Sequence, residues 1–144
     1  MESEEKYIKQ ISAISDSNWQ ELFAYIPDFE KTTDFGNWTK SEPVENGVVS
    51  MPHAISSPIV SDFVSCLYKI DLVLSFDWMR WEEGHEILND PTTDFDIYDK
   101  LTLCRLITLI VRNDRYTEGY LLRCFEEGIV LKLLKGLERK VNTD

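Results

Sequence analysis

The stretch from Leu101 to Val111, Leu-Thr-Leu-Cys-Arg-Leu-Ile-Thr-Leu-Ile-Val, constrains the fold of this chain more than any other. In a helix running from Asp96 to about Asn113, Ile97, Leu101, Cys104, Ile107 and Val111 point one way. Leu103, Leu106, Leu109 and Ile110 carry the apolar surface nearly all the way round. A helix of that kind has to be covered on every side, so the pattern predicts a bundle with this helix at its centre. One polar stripe survives on it: Thr102, Arg105, Thr108 and Arg112, at steps of three, three and four. The same residues interrupt the run well short of the roughly 18 apolar positions that a membrane span needs, and no membrane partner is expected.

The flanking segments read as further helices around one loop-rich stretch. Tyr7, Ile8, Ile11 and Ile14 recur at helical spacing, and Asp16 or Ser17 can cap a second run holding Trp19, Leu22, Phe23 and Ile26, which Pro27 closes. From Asp28 to Ser57 periodicity disappears. Glu45-Asn46-Gly47 offers a turn and Val48 to Met51 an extended run, so a small β-hairpin is expected near residues 36–51. Structureless loops of about 30 residues are rare in compact domains, and this one is expected to pack over the helices or to bear function. Ser57-Pro58 starts a helix that runs to about Ile70. Leu72 to Phe76 is a buried connector or short strand, and Asp77 caps a helix that runs to Asn89, where Asn89-Asp90-Pro91 terminates it. Asp114 caps the next helix, with Tyr116, Tyr120, Leu121, Cys124 and Phe125, to Gly128; a last helix follows from Ile129 to about Lys140. At 144 residues the chain supports one core. The expected organisation is a mainly α single-domain helical bundle over 1–144, with N-terminal helices over 1–27, a long loop or hairpin over 28–57 and a helical core over 58–140.

Charge narrows the partners. The net charge is −11, and it divides unevenly: residues 1–100 hold seven Lys and Arg against twenty Asp and Glu, whereas residues 101–144 hold eight against six. An acidic chain lacks the basic face that phosphate backbones require, which disfavours nucleic acid and sends any small anion to the C-terminal helices. An acidic mimic of nucleic acid would use the same charge in the opposite sense. Cys66, Cys104 and Cys124 have no metal-ligand spacing and sit among apolar residues, as buried reduced thiols do. The opening Met-Glu-Ser-Glu-Glu-Lys is acidic where a secretory leader is basic and then apolar. A cytoplasmic protein is expected.

Two polar clusters are the candidates for chemistry. In a helix from Asp77, Trp78, Trp81, Glu82 and His85 share a face. The Glu82-x-x-His85 step supplies ligands in di-iron bundles, but such a site needs two of these steps and this chain has one. No metal or cofactor is therefore expected, and the tryptophans read mainly as core. The second cluster is Arg112, Asp114, Arg115 and Glu118, joined along the stripe by Arg105. Convergent guanidinium groups suit carboxylate or phosphate, while charges near a helix junction also pair with each other and with helix ends. Ligand-binding candidates are thus Asp77, Trp78, Trp81, Arg105, Arg112, Asp114, Arg115 and Glu118. Neither His53 nor His85 belongs to a recognisable nucleophile motif, and the glycines form no phosphate-cradling loop.

Met51-Pro52, Ser61-Asp62, Val73 to Trp78, Trp81-Glu82 and Arg112-Asn113-Asp114-Arg115-Tyr116-Thr117-Glu118-Gly119 together resemble a bacterial domain family of unknown function over roughly residues 36–137, continuing through Leu121, Phe125, Glu126 and Gly128. His53 stands where that pattern carries an aromatic residue. The resemblance implies a free-standing bacterial protein made mostly of this domain, and implies no activity, substrate or cofactor. The reading that follows is a binding or regulatory module for a protein partner, a second copy of itself or a small anion. An enzyme using an Asp, Glu and Arg site is the alternative.

Overall fold

The computed structural model describes residues 4–38 and 54–143. Its N-terminal pattern resolves into three helices, α1 (Glu4–Ser12), α2 (Asp16–Phe23) and α3 (Tyr25–Lys31). The cap of α2 is Ser15, whose hydroxyl accepts from the Asn18 amide at 3.2 Å, rather than Asp16 or Ser17. Pro27 does not close this region. It lies in the first turn of α3, where its missing N–H removes no helical hydrogen bond, so the irregular stretch begins only at Thr32.

Strands β1 (Gly36–Trp38) and β2 (Ala54–Ser56) pair antiparallel, Gly36 opposite Ser56 and Trp38 opposite Ala54. A strand pair is present as the sequence predicts, with its second strand just beyond Met51; the turn at 45–47 and the run at 48–51 lie outside the described residues. Gly36 is at φ +146, and a Cβ there would run into the Ile55 carbonyl, so this corner accepts glycine alone.

Helix α4 (Pro58–Lys69) starts on the predicted proline, and Leu72, Val73 and Leu74 follow it as a buried connector. Beyond Asp77 the structure departs from expectation. A single turn of 3-10 helix, Trp78–Arg80, is separated at Trp81 from α5 (Glu82–Asn89), and Asp77 makes no side-chain cap bond. Trp78, Trp81, Glu82 and His85 therefore do not line one helical face. The break lets the two indoles go separate ways: Trp81 meets Phe76 edge to face at 5.7 Å, and Trp78 meets Tyr116 at 5.7 Å.

The central helix, α6 (Lys100–Asn113), begins later than the sequence suggests. A 3-10 turn at Phe95–Ile97 precedes it, and Asp99 caps it by accepting from the Thr102 amide at 2.8 Å. Ile97, expected inward, is 71% exposed because it belongs to that turn and not to the helix. Asp114 does not open the next helix directly. Gly119, at φ 77, leads into α7 (Tyr120–Glu126), leaving Tyr116 outside it, and Gly128, at φ 78, separates α7 from α8 (Ile129–Thr143).

Helix α6 packs against α8, α7, α5, α1 and the Trp78–Arg80 turn, which is the coverage that its apolar circumference demands. Leu67, Leu72, Leu103, Leu106, Leu109, Leu133 and Leu134 are fully enclosed in a single core cluster with Phe63, each such side chain contributing roughly 1.5–3 kcal/mol of burial. Phe29, Phe63 and Phe125 meet one another edge to face at 5.1, 5.1 and 5.8 Å. Cys66, Cys104 and Cys124 are buried and unbridged. No helix among the described residues is long and apolar enough to cross a membrane.

Candidate functional site

The middle of the polar stripe of α6, Arg105 and Thr108, faces the chain segment that follows α4. Thr108 is fully buried; its hydroxyl donates to the Cys104 carbonyl at 2.9 Å and accepts from the Leu74 amide at 3.1 Å. From the other side α1 holds the same segment. The Tyr7 hydroxyl donates to the Ser75 carbonyl at 2.8 Å, and the Gln10 amide donates to the carbonyls of Asp71 at 2.8 Å and Val73 at 3.3 Å. Four residues of the connector, Asp71, Val73, Leu74 and Ser75, with no strand partner to satisfy them, are pinned by side chains. The next residues, Phe76 and Asp77, are thereby delivered beside Arg105.

Arg105 is the unusual group. Its side chain is only 19% exposed, and its guanidinium carbon lies 5.4 Å from the Tyr7 ring centre and 5.6 Å from that of Phe76. Aromatic faces attract a guanidinium and hold its plane. Nη1 makes a long contact of 3.5 Å to Glu4 Oε1, while the buried Nε has no hydrogen-bond partner among the described residues. Beside it opens a cleft of about 560 Å³ lined by Phe76, Asp77, Arg80, Trp81 and Arg105. Asp77 and Arg80 stand at its rim, Asp77 Oδ2 lying 3.6 Å from Arg80 Nε, with Arg80 89% exposed. Trp81 forms the wall, and Gly84 supports it: a Cβ at Gly84 would overlap the six-membered ring of the indole.

Of the eight candidates, the structure brings Asp77, Trp81 and Arg105 together. Trp78 borders a neighbouring surface; its carbonyl lies 3.2 Å from His85 Nε2 and its ring 5.7 Å from Tyr116. Arg112 is half-buried seven residues further along α6, roughly 10 Å away at 1.5 Å per residue. Arg115 is exposed. The two acids of the second cluster hold backbone: Asp114 accepts from the Leu121 amide at 3.0 Å, capping α7 from seven residues upstream, and Glu118 accepts from the Ala54 amide at 2.9 Å, fastening β2. Sequence reasoning passed over Tyr7 and Glu4, because nothing in α1 marks a partner about a hundred positions away. Arg105 itself was legible as the single charge within Leu101–Val111. Among the described residues, no group of three or more His, Cys, Asp or Glu could hold a metal ion.

Burial and hydrogen bonding tune several groups around this core. Burial pushes the Cys124 thiol up to about 12 and the Tyr120 hydroxyl up to about 12, and raises Cys104 further still. Burial also opposes ionisation of Asp99, but the Thr102 hydroxyl and amide, aided by Arg105 and Lys140, outweigh it and leave this carboxyl below its ordinary value.

Fold and site together define a mainly helical protein with one core and a guanidinium-bearing aromatic cleft on the flank of its central helix. The chain belongs to the family of unknown function DUF6508, which it matches over residues 14–143. No curated protein and no solved structure matches it.

Proposed function

We propose that this protein is a small cytoplasmic binding module that holds an anionic ligand at Arg105. The observation that carries this reading is the state of that guanidinium: fixed against two aromatic rings, with Nε buried and unpartnered, at the edge of a cleft of about 560 Å³. Buried donors are nearly always satisfied, and leaving one unmade costs about 1–3 kcal/mol. An anion at the cleft would compensate the charge that the scaffold has concentrated there. The cytoplasmic assignment is supported by three buried, unbridged thiols, as expected of a reducing compartment.

The test is thermal melting of wild type, Arg105→Lys and Arg112→Ala against acetate, phosphate, sulfate and larger carboxylates. A ligand at a hundred times its Kd adds about 2.7 kcal/mol, which for a chain of 144 residues is a shift of about 9 °C. The expected result is a shift kept by Arg112→Ala and lost by Arg105→Lys. Equal shifts in wild type and Arg105→Lys would remove the anion site.

One observation favours a second reading, a protein partner or second copy. Met79 is 52% exposed and Tyr116 is 68% exposed, and Tyr116 stacks at a tilt on half-buried Trp78; aromatic residues and Met are the types enriched at interfaces. The enzyme alternative has less support, since Asp114 and Glu118 are engaged with backbone amides and Asp77 is the one carboxylate among the described residues that line the cleft.

A further inference from the structure

The chemistry of the cleft discriminates among anions. Its body is aromatic, the Phe76 and Trp81 rings meeting at 75°. Arg105 is its one deeply placed cation, because Arg80 sits at the rim beside Asp77. A phosphate dianion is normally matched by several cations, by a nest of backbone amides or by a helix N-terminus. Trp81 on the cleft wall directly precedes α5, whose first turn carries Glu82 and Glu83, and Asp77 adds a further negative charge at the rim. A second charge on the ligand would meet repulsion there. A single carboxylate would meet less of it, and a planar guanidinium held against two rings is shaped for one. The chain supplies its own stand-in: the Glu4 carboxylate reaches Nη1 at 3.5 Å from an exposed position on α1, a contact too long to hold the site closed.

We infer that the ligand is a monocarboxylate with a flat apolar body, of the arylalkyl acid class. Its carboxylate joins Arg105 in competition with Glu4, and its ring lies against Phe76 and Trp81. The volume of about 560 Å³ falls within the ~300–1,000 Å³ of small-molecule sites, ample for one ring and a short chain. This inference rests on the anion-site reading above and goes beyond it in naming the chemical class.

The experiment is calorimetric titration of the full chain at millimolar probe with 3-phenylpropionate, its neutral amide, acetate and inorganic phosphate, repeated on Arg105→Lys and Glu4→Gln. The expected result is binding of 3-phenylpropionate, about tenfold or more weaker binding of the amide and of acetate, and no heat from phosphate. Glu4→Gln should bind the acid about two- to fivefold more tightly, the equivalent of removing one exposed competing ion pair; Arg105→Lys should bind it at least tenfold more weakly, about the loss of one charge-assisted hydrogen bond. Phosphate binding through Arg105 as tightly as the aryl acid would overturn the inference while leaving an anion site in place. The amide binding as well as the acid, or no Arg105-dependent heat from any probe, would overturn both. Should Arg105→Lys fail to fold, the four probes on wild type and Glu4→Gln still decide, because Glu4 is an exposed surface residue.

Discussion

Replacing Thr108 by Val isolates the hydrogen bond that ties the connector to the central helix. The substitution keeps the branched shape and removes only the hydroxyl. The Cys104 carbonyl loses little, since it still serves the α6 backbone ladder, but the Leu74 amide loses the acceptor 3.1 Å away. Leu74 is 1% exposed, so no water replaces that acceptor without opening the structure. An unsatisfied buried donor costs about 1–3 kcal/mol. With an unfolding entropy of about 2.1 cal/mol/K per residue, the expected fall in Tm is about 3–10 °C. Thr108→Ser is the control, because it keeps the hydroxyl and loses one methyl group, about 1 kcal/mol. Calorimetric melting of the three proteins gives the stability, and amide exchange at Leu74 gives the local effect, with faster exchange expected in the Val variant alone. A Val variant melting within about 1 °C of wild type, or one whose Leu74 amide exchanges no faster than in the Ser variant, would refute the reasoning and make packing, not the hydroxyl, the tie between α6 and the connector.

Three further outcomes follow from the geometry. Gly84→Ala should push Trp81 off Phe76, an overpacking cost of about 1–3 kcal/mol partly offset by about 1 kcal/mol of helix propensity, and should shift the tryptophan emission to the red; unchanged emission would show that the indole does not rest on Gly84. Because the folded-state value of Asp99 lies below its ordinary 3.8, its stabilisation is complete above that pH and is lost as pH falls through the lower folded value. Acid titration of Asp99→Asn should therefore show a shallower loss of stability below about pH 4 than wild type, and parallel curves would count against the cap. On the alkaline side Cys124 and Tyr120 stand near 12 when folded against ordinary values of 9.0 and 10.0, so their contribution is complete below about pH 9 and declines as pH rises towards 12. The companion observation is a thiol reagent at pH 8, which should label none of the three cysteines rapidly until denaturant is added.

The central helix was legible because its apolar residues run round nearly the whole circumference from Leu103 to Val111, a pattern that has to be covered on almost every side. The same holds for Gly128 between the last two helices, where a local backbone need writes itself into one residue. Trp81 shows where such reading stops. Helical spacing from Asp77 onwards is unbroken in the sequence, yet the helix breaks at Trp81 and the two indoles rest on different neighbours, Phe76 and Tyr116, contacts that exist only once the chain has folded. Asp114 and Glu118 illustrate a related limit. Their motif is real, but the partners that explain it, the amides of Leu121 and Ala54, lie beyond the range of any local pattern. Pairing of Arg105 with Tyr7 spans about two thirds of the chain and was likewise invisible.

The family match begins at residue 14, whereas α1 ends at Ser12. The matched region and the stretch that folds together are therefore different lengths of polypeptide. A protein cut back to the matched region would lose the buried side chains of Tyr7 and Ile11 and the donors that meet the carbonyls of Asp71, Val73 and Ser75. It would leave Arg105 with one aromatic neighbour in place of two. Helix α1 thus sets the surroundings of Arg105 from outside the residues that line the cleft.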